Sequence, residues 1–157
     1  MRRAIIRDKR KLPPFNEPAR DLRVLNKPLW LCQKDTLEPY CDSEIEVDVC
    51  EQTPDDSYGE TLIYRDNLFF DQAFIDAFLS RARSLGKACR VAFSLDDKVI
   101  ATHALLLQSG IHREGDVYLA NMWYYFVANC LFGVLAEGAW MERNLNNWGT
   151  FLWMSPE

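Results

Sequence analysis

Residues 62–97, LIYRDNLFFDQAFIDAFLSRARSLGKACRVAFSLDD, set two apolar runs on either side of a helical stretch. The first run, TLIY from Thr61, is short and almost wholly apolar, as a strand buried on both faces would be. Beyond it Phe70, Ala73, Phe74, Ala77, Phe78, Ala82 and Leu85 recur at helical spacing, which predicts one amphipathic helix. Asp71 stands where an N-cap is wanted, Arg81 and Arg83 suit the negative end, and Gly86 suits a left-handed C-cap. CRVAFSL predicts a second strand, with Cys89, Val91, Phe93 and Leu95 on one side. Strand, helix and strand in this order form a βαβ crossover, which predicts neighbouring parallel strands and a right-handed connection.

Working outward, RRAII predicts an opening strand, and Pro13, Pro14 and Pro18 predict an irregular loop after it. In VLNKPLWLCQKDTL, residues Leu25, Leu29, Trp30, Cys32 and Leu37 have imperfect helical spacing, with Pro28 suited to a first turn. EIEVDVC alternates acids with Ile45, Val47 and Val49, the pattern of a half-exposed strand, and QTPDDSYGE reads as a turn. VIATHALLLQSGI predicts a strand, HREGD a turn, VYLANMWYY another strand, and the residues after it an apolar helix. The fold expected is a single α/β domain over residues 1–157: three layers, a mainly parallel sheet flanked by helices, and some antiparallel strands toward the C-terminus.

A chain of 157 residues that is 48% hydrophobic and 13% aromatic can bury one sizeable core. The net charge of -5 conceals an asymmetry, because residues 1–34 carry ten Lys and Arg against three acids, whereas residues 42–60 carry eight acids and no base. Such a basic arm suits phosphate groups or a solvated face, while the acidic total excludes a general nucleic-acid binder. Five cysteines without a CxxC pair indicate neither a disulfide framework nor a zinc site, and a reduced cytoplasmic protein is expected. The N-terminal apolar run is too short for a secretory signal. Residues 117–136 lack formal charge over the length of a membrane span, but a buried strand followed by a buried helix accounts for them without a membrane.

Asp66 follows the first strand directly, and ligands of open α/β sheets bind beyond such strand ends. A carboxylate there suits a hard divalent cation that carries phosphate; it equally suits the free amides of the next helix, where Asp66 or Asp71 would contribute about 1 kcal/mol. The other constellations read as structural. No G-x-S-x-G elbow is present, His103 falls in an apolar run, His112 in a polar turn, and Trp123, Tyr124 and Tyr125 in apolar company that predicts core packing. Asn144, Asn146, Asn147 and Trp148 precede Gly149 at an expected helix end.

The stretch 62–97 also resembles the central segment of sugar-phosphate nucleotidyltransferases, in which an apolar strand ends in a Gly-Asp pair and is followed by helix, turn and strand. RRAII and the later Lys27–Pro28 pair are similar to that family's opening strand and Lys-Pro segment. The resemblance implies Asp66 as a magnesium ligand, Arg20 and Lys27 as catalytic cations, and Arg10 and Lys11 as phosphate-binding groups. It also implies Mg2+ as cofactor, with a nucleoside triphosphate and a sugar phosphate as partners. Two departures stand out: no glycine precedes Gly59, so the family's glycine-rich phosphate loop is replaced by RDKRKLPPF, and Arg65 occupies the place of the glycine before the aspartate. Asp116 matches no second metal motif. The family's catalytic domain is longer than this chain, and the hexapeptide repeat of its β-helical extension is absent. The resemblance implies transfer of a nucleotidyl group to a sugar 1-phosphate. The competing expectation is a non-catalytic assembly domain that forms homo-oligomers through the apolar C-terminal segment.

Overall fold

The computed structural model describes residues 1–47, 59–86, 88–98, 100–104, 111–126 and 151–153. Its centre is a seven-stranded mixed sheet. Strand β1 (Arg2–Ile6) is followed by two small hairpins, β2 (Lys11–Leu12) with β3 (Glu17–Pro18) and β4 (Arg23–Val24) with β5 (Lys27–Pro28), then by helix α1 (Leu29–Leu37). Next come β6 (Ser43–Val47), β7 (Glu60–Arg65), helix α2 (Gln72–Leu85), β8 (Cys89–Ser94), β9 (Ile111–Glu114), β10 (Val117–Phe126) and β11 (Phe151–Trp153). The spatial order is β11-β8-β10-β7-β1-β6, with β9 paired to β10. β6 and β7 flank β1 in parallel, β11 runs parallel to β8, and β10 is antiparallel to β7, β8 and β9.

The α/β class with a mainly parallel sheet and antiparallel pairing in its later strands is therefore as expected, but the crossover differs in one respect. β7 and β8 point the same way without being neighbours, because β10 lies between them. This insertion joins strands far apart in the chain, so no local pattern announces it. β10 also makes β9 a continuation of β7: Met122 pairs with Tyr64, and Ala120 with Ile111. Trp123 and Tyr124 are buried in β10, as their apolar company predicts.

Helix α2 is capped as its sequence requires. The Asp71 carboxylate accepts the Phe74 N–H at 2.8 Å, and Gly86, at φ 59°, donates to the carbonyls of Ala82 and Arg83. Its buried face is Ile75, Phe78, Leu79 and Ala82, while Ala73, Ala77 and Leu85 are exposed. The expected stripe is thus turned around the axis, since Ile75 and Leu79 have far more apolar surface to bury than the two alanines. These side chains join Ile5, Leu37, Leu62, Tyr64, Phe70 and Met122 in one cluster; Ala4, Ile6, Val47, Ile63 and Trp123 form a second.

Elsewhere the expectations need correction. Leu25 belongs to no helix: with Asn26 it forms the two-residue tip of the β4–β5 hairpin, both residues at positive φ (50° and 66°) and Leu25 91% exposed. Pro28 precedes α1 rather than sitting in its first turn. Residues Ile100–Ala104 form a π-helical turn instead of a strand, and the Asp97 side chain accepts the Ile100 N–H at 3.0 Å to start it. HREGD supplies much of β9 as well as the turn at Gly115, which places His112 on a strand. Cys32, Cys41 and Cys89 are free thiols. Among the described residues no helix is long and apolar enough to cross a membrane. Residues 48–58 and the C-terminal segment from 127 to 150, with Asn144, Asn146, Asn147, Trp148 and Gly149, lie outside the described residues.

Candidate functional site

β1 and β7 end together, and Asp66 sits at that end. Its own N–H closes the parallel ladder on the Ile6 carbonyl at 3.0 Å, and its Oδ1 accepts the Asp8 N–H at 2.8 Å across the strand ends. The side chain is 2% exposed, and its other oxygen, Oδ2, makes no hydrogen bond. Two guanidinium groups face that oxygen, Arg7 at 3.5 Å and Arg20 at 3.7 Å. Both distances exceed those of good N–H···O bonds, so the pairs are ionic contacts with donors left over. Asp66 has no part in capping α2, which is the work of Asp71.

The turn holding Asp66 is fastened from α1. Gln33 lies four residues from both Leu29 and Leu37 on the buried stripe of that helix, and its amide donates to the carbonyls of Asp66 at 3.1 Å and Leu68 at 2.6 Å. Burial pushes the Asp66 carboxyl above its ordinary range, against the downward pull of the Asp8 N–H and Arg7. Asp8 is held the opposite way: its carboxylate accepts the Arg10 side chain at 2.6 to 3.3 Å and Asn67 Nδ2 at 3.0 Å, and the Arg10 bond lowers its pKa.

In front of Asp66 is a pocket of about 170 Å³, lined by Arg3, Arg7, Arg20, Trp30, Gln33, Lys34, Glu44 and Tyr64 among others. Alternation along the chain after Met1 puts Arg3, Ile5 and Arg7 on one side of β1. The acidic strand β6 answers them, with Arg3 paired to Glu44 and Arg7 to Glu46. Two of the ten bases and two of the eight acids behind the charge asymmetry are thus paired side by side. The lining nevertheless carries four bases, Arg3, Arg7, Arg20 and Lys34, against two acids, Glu44 and Asp66.

Of the residues expected at a site, Asp66 and Arg20 meet. Arg10 is one step away, bound to Asp8 rather than lining the pocket. Lys11 lies on β2, and Lys27 pairs with Asp35 at 2.7 Å on an exposed surface. Asp116 is exposed in the β9–β10 turn. Sequence reasoning missed Arg3, Arg7, Gln33 and Trp30. Their signals were bases at Arg3 and Arg7, four residues apart and so on one side of an extended chain, and one polar residue in the apolar stripe of α1; Trp30 gave none. Among the described residues no group of three or more His, Cys, Asp or Glu side chains is placed to hold a metal ion.

No family model matches the sequence, and no curated protein matches it. Among solved structures the chain is similar to 2-C-methyl-D-erythritol 4-phosphate cytidylyltransferase from Thermus thermophilus, with a TM-score of 0.52 and 10% identity over 99% of this chain and 90% of that one. It is also similar to 4-diphosphocytidyl-2C-methyl-D-erythritol synthase from Anaerococcus prevotii (TM-score 0.48, 10% identity, 99% of this chain and 89% of that one). A third structure is a protein assigned as a glucose-1-phosphate thymidylyltransferase from Bacillus anthracis (TM-score 0.46, 12% identity, 99% and 87%). The likeness to the Thermus protein establishes a shared nucleotidyltransferase fold, and against it the expected shortfall in length is small.

Proposed function

We propose that this chain is a divergent nucleotidyltransferase-like domain that binds a nucleotide or sugar phosphate in the pocket before Asp66. One observation carries the proposal: a buried carboxylate with an unbonded oxygen stands at the common end of two parallel strands, inside a pocket with twice as many bases as acids. A structural ion pair would close that oxygen into hydrogen bonds. Here two guanidinium forks stop short of it, and such forks match phosphate oxygens. The shared fold supports placing a ligand at these strand ends.

Nucleotidyl transfer on this scaffold would require the phosphate oxygen of a sugar 1-phosphate to attack an α-phosphorus in line, with pyrophosphate leaving. Arg7 and Arg20 would orient the attacking phosphate and offset the charge that spreads over it. The Mg2+ that the fold family implies does not fit the donor set as a resident ion, because the unbonded oxygen of Asp66 already faces two cations.

Titration calorimetry with a nucleoside triphosphate and with a sugar 1-phosphate tests the proposal. Saturable binding of either, weakened in Arg20→Ala, is expected. No binding by wild type, together with a concentration-dependent dimer in sedimentation, would favour the assembly domain instead. That second reading has one observation behind it: a proline-containing hairpin, β2–β3, follows β1 where the family carries its glycine-rich cradle.

A further inference from the structure

We infer that the pocket before Asp66 takes a small phosphate monoester, of the size of a phosphorylated sugar, gripped directly by arginine side chains without a bridging metal ion. The inference rests on the phosphate-binding reading above and narrows it in two ways, by size and by the means of holding charge.

Size comes first. Pockets that enclose a drug-sized ligand run from about 300 to 1,000 Å³. This one measures about 170 Å³, room for a phosphate and a short carbon skeleton but not for a base, a ribose and three phosphates together. Trp30 lines the same pocket and is 38% exposed, so it offers an apolar ring beside the cations against which a sugar face can lie.

Charge is the second ground. A backbone cradle turns successive N–H groups inward through alternating right- and left-handed residues, usually with glycine at the left-handed ones; the first glycine of this chain is Gly59, and the positive-φ residues before it, Asn16, Leu25 and Asn26, belong to the turns of the two hairpins. The chain between β1 and α1 folds instead into two hairpins and a short 3-10 turn, Ala19–Asp21, which carries Arg20 to the pocket. Positive charge is therefore delivered by side chains. Two polar atoms inside the pocket's walls lack any hydrogen bond, Asp66 Oδ2 and Arg3 Nε, and the Arg7 and Arg20 forks lie beyond hydrogen-bond reach of the carboxylate that aligns them. A phosphate monoester supplies acceptors for the arginine donors, and a sugar hydroxyl supplies the donor that Asp66 Oδ2 lacks; a divalent cation would meet Oδ2 alone and is repelled by the arginines around it. Asp66 on this account is a positioning residue: with Glu46, which pairs with Arg7, and Asp21, 3.7 Å from Arg20, it holds two arginines at the pocket and leaves to the ligand the N–H groups those contacts do not use.

The experiment uses three probes, inorganic phosphate, glucose 1-phosphate and CTP, titrated into the full chain in EDTA and again with excess Mg2+. Inorganic phosphate and glucose 1-phosphate are expected to bind in EDTA, with Mg2+ changing the affinity by less than about threefold. Arg20→Ala should weaken both by about tenfold or more, the scale of a lost charge-assisted hydrogen bond. Asp66→Asn, which keeps an acceptor for the Asp8 N–H, should retain phosphate binding. Arg20→Lys, which keeps charge but not the fork, should fall between wild type and Arg20→Ala. Binding of CTP only with Mg2+, abolished in Asp66→Asn, would overturn the metal-free inference and leave the nucleotide reading standing. Failure of all three probes in both buffers, with wild-type circular dichroism unchanged, would overturn both.

Discussion

Asp66 pairs a high desolvation cost with incomplete compensation, and this combination makes its titration informative. The folded chain holds the Asp66 proton more tightly than the unfolded chain does, because burial raises the carboxyl above its ordinary 3.8. Its contribution to stability is therefore greatest below 3.8 and is lost as pH rises through the higher folded value. Asp8 has the opposite sign: Arg10 lowers its pKa, so its contribution is present above 3.8 and is lost as pH falls through the lower folded value. Asp66→Asn should accordingly unfold at higher urea than wild type at neutral pH, with the gap closing as pH falls toward 3.8. A gap that stays constant with pH would mean that the charge of Asp66 is not the cause. A more stable variant would mean that the charge of Asp66 serves something other than folding, and the proposed phosphate pocket is such a role. Arg90 shows the contrast of a purely structural buried cation: it donates to the Ala120 carbonyl at 2.9 Å and to Asn121 Oδ1 at 3.0 Å, lies 4.8 Å over the Trp123 ring, and is pushed down to about 10 by burial.

The elements that present Asp66 differ in how legible they were. Helix α2 announced both of its ends, because caps are local chemistry: one carboxylate, one glycine, each within a turn of the residues it serves. Asp71→Ala should cost about 1 kcal/mol in urea unfolding, and Gly86→Ala, forced to φ near +60°, about the same or more. The buried phase of α2 was not legible, since alanine spacing fits either side and only the sheet beneath selects Ile75 and Leu79. Helix α1 concealed its role in the opposite way. Gln33 between Leu29 and Leu37 reads as a flaw in an apolar stripe until its two carbonyl partners, 33 and 35 residues away, are in place. Gln33→Ala should destabilise by about 1–3 kcal/mol, the cost of orphaned buried acceptors. Gln33→Glu should be worse despite its similar shape, because an ionised carboxylate would face two carbonyls without a donor. Near-UV circular dichroism beside the urea midpoints would separate these outcomes. A Gln33→Glu variant as stable as wild type would remove the clamp from the account.

On the scale of the whole molecule, the strand ends make a site only because β1, β6 and β7 come together from three parts of the chain. Apolar runs predicted β1 and β7, and alternation predicted β6, each singly; the strand-end position marked Asp66, and the family resemblance gave it a ligand's role. Their order, and the arginines it gathers, depend on pairings that no window of sequence contains. The acidic segment and the basic arm look like separate surfaces in the sequence, yet parallel pairing sets Arg3 beside Glu44 in the ladder, and Arg7 reaches Glu46. This architecture predicts a graded hydrogen exchange. Amides of β1 and β7, each flanked by partners on both sides, should exchange slowly, whereas the two-residue ladders of β2–β3 and β4–β5 should open locally and exchange fast. A ligand that binds only the folded state slows every amide that exchanges by global unfolding, by the same factor of one plus its concentration over Kd. Locally opening amides slow only where the ligand itself holds the segment. Saturating glucose 1-phosphate should therefore slow β1 and β7 uniformly and, beyond that, protect the Asp8 N–H and the Arg20 turn, leaving the tip at Leu25 and Asn26 unchanged. Uniform slowing with no added protection at Arg20 would place the ligand elsewhere on the fold, and the strand-end pocket would lose its claim to the phosphate.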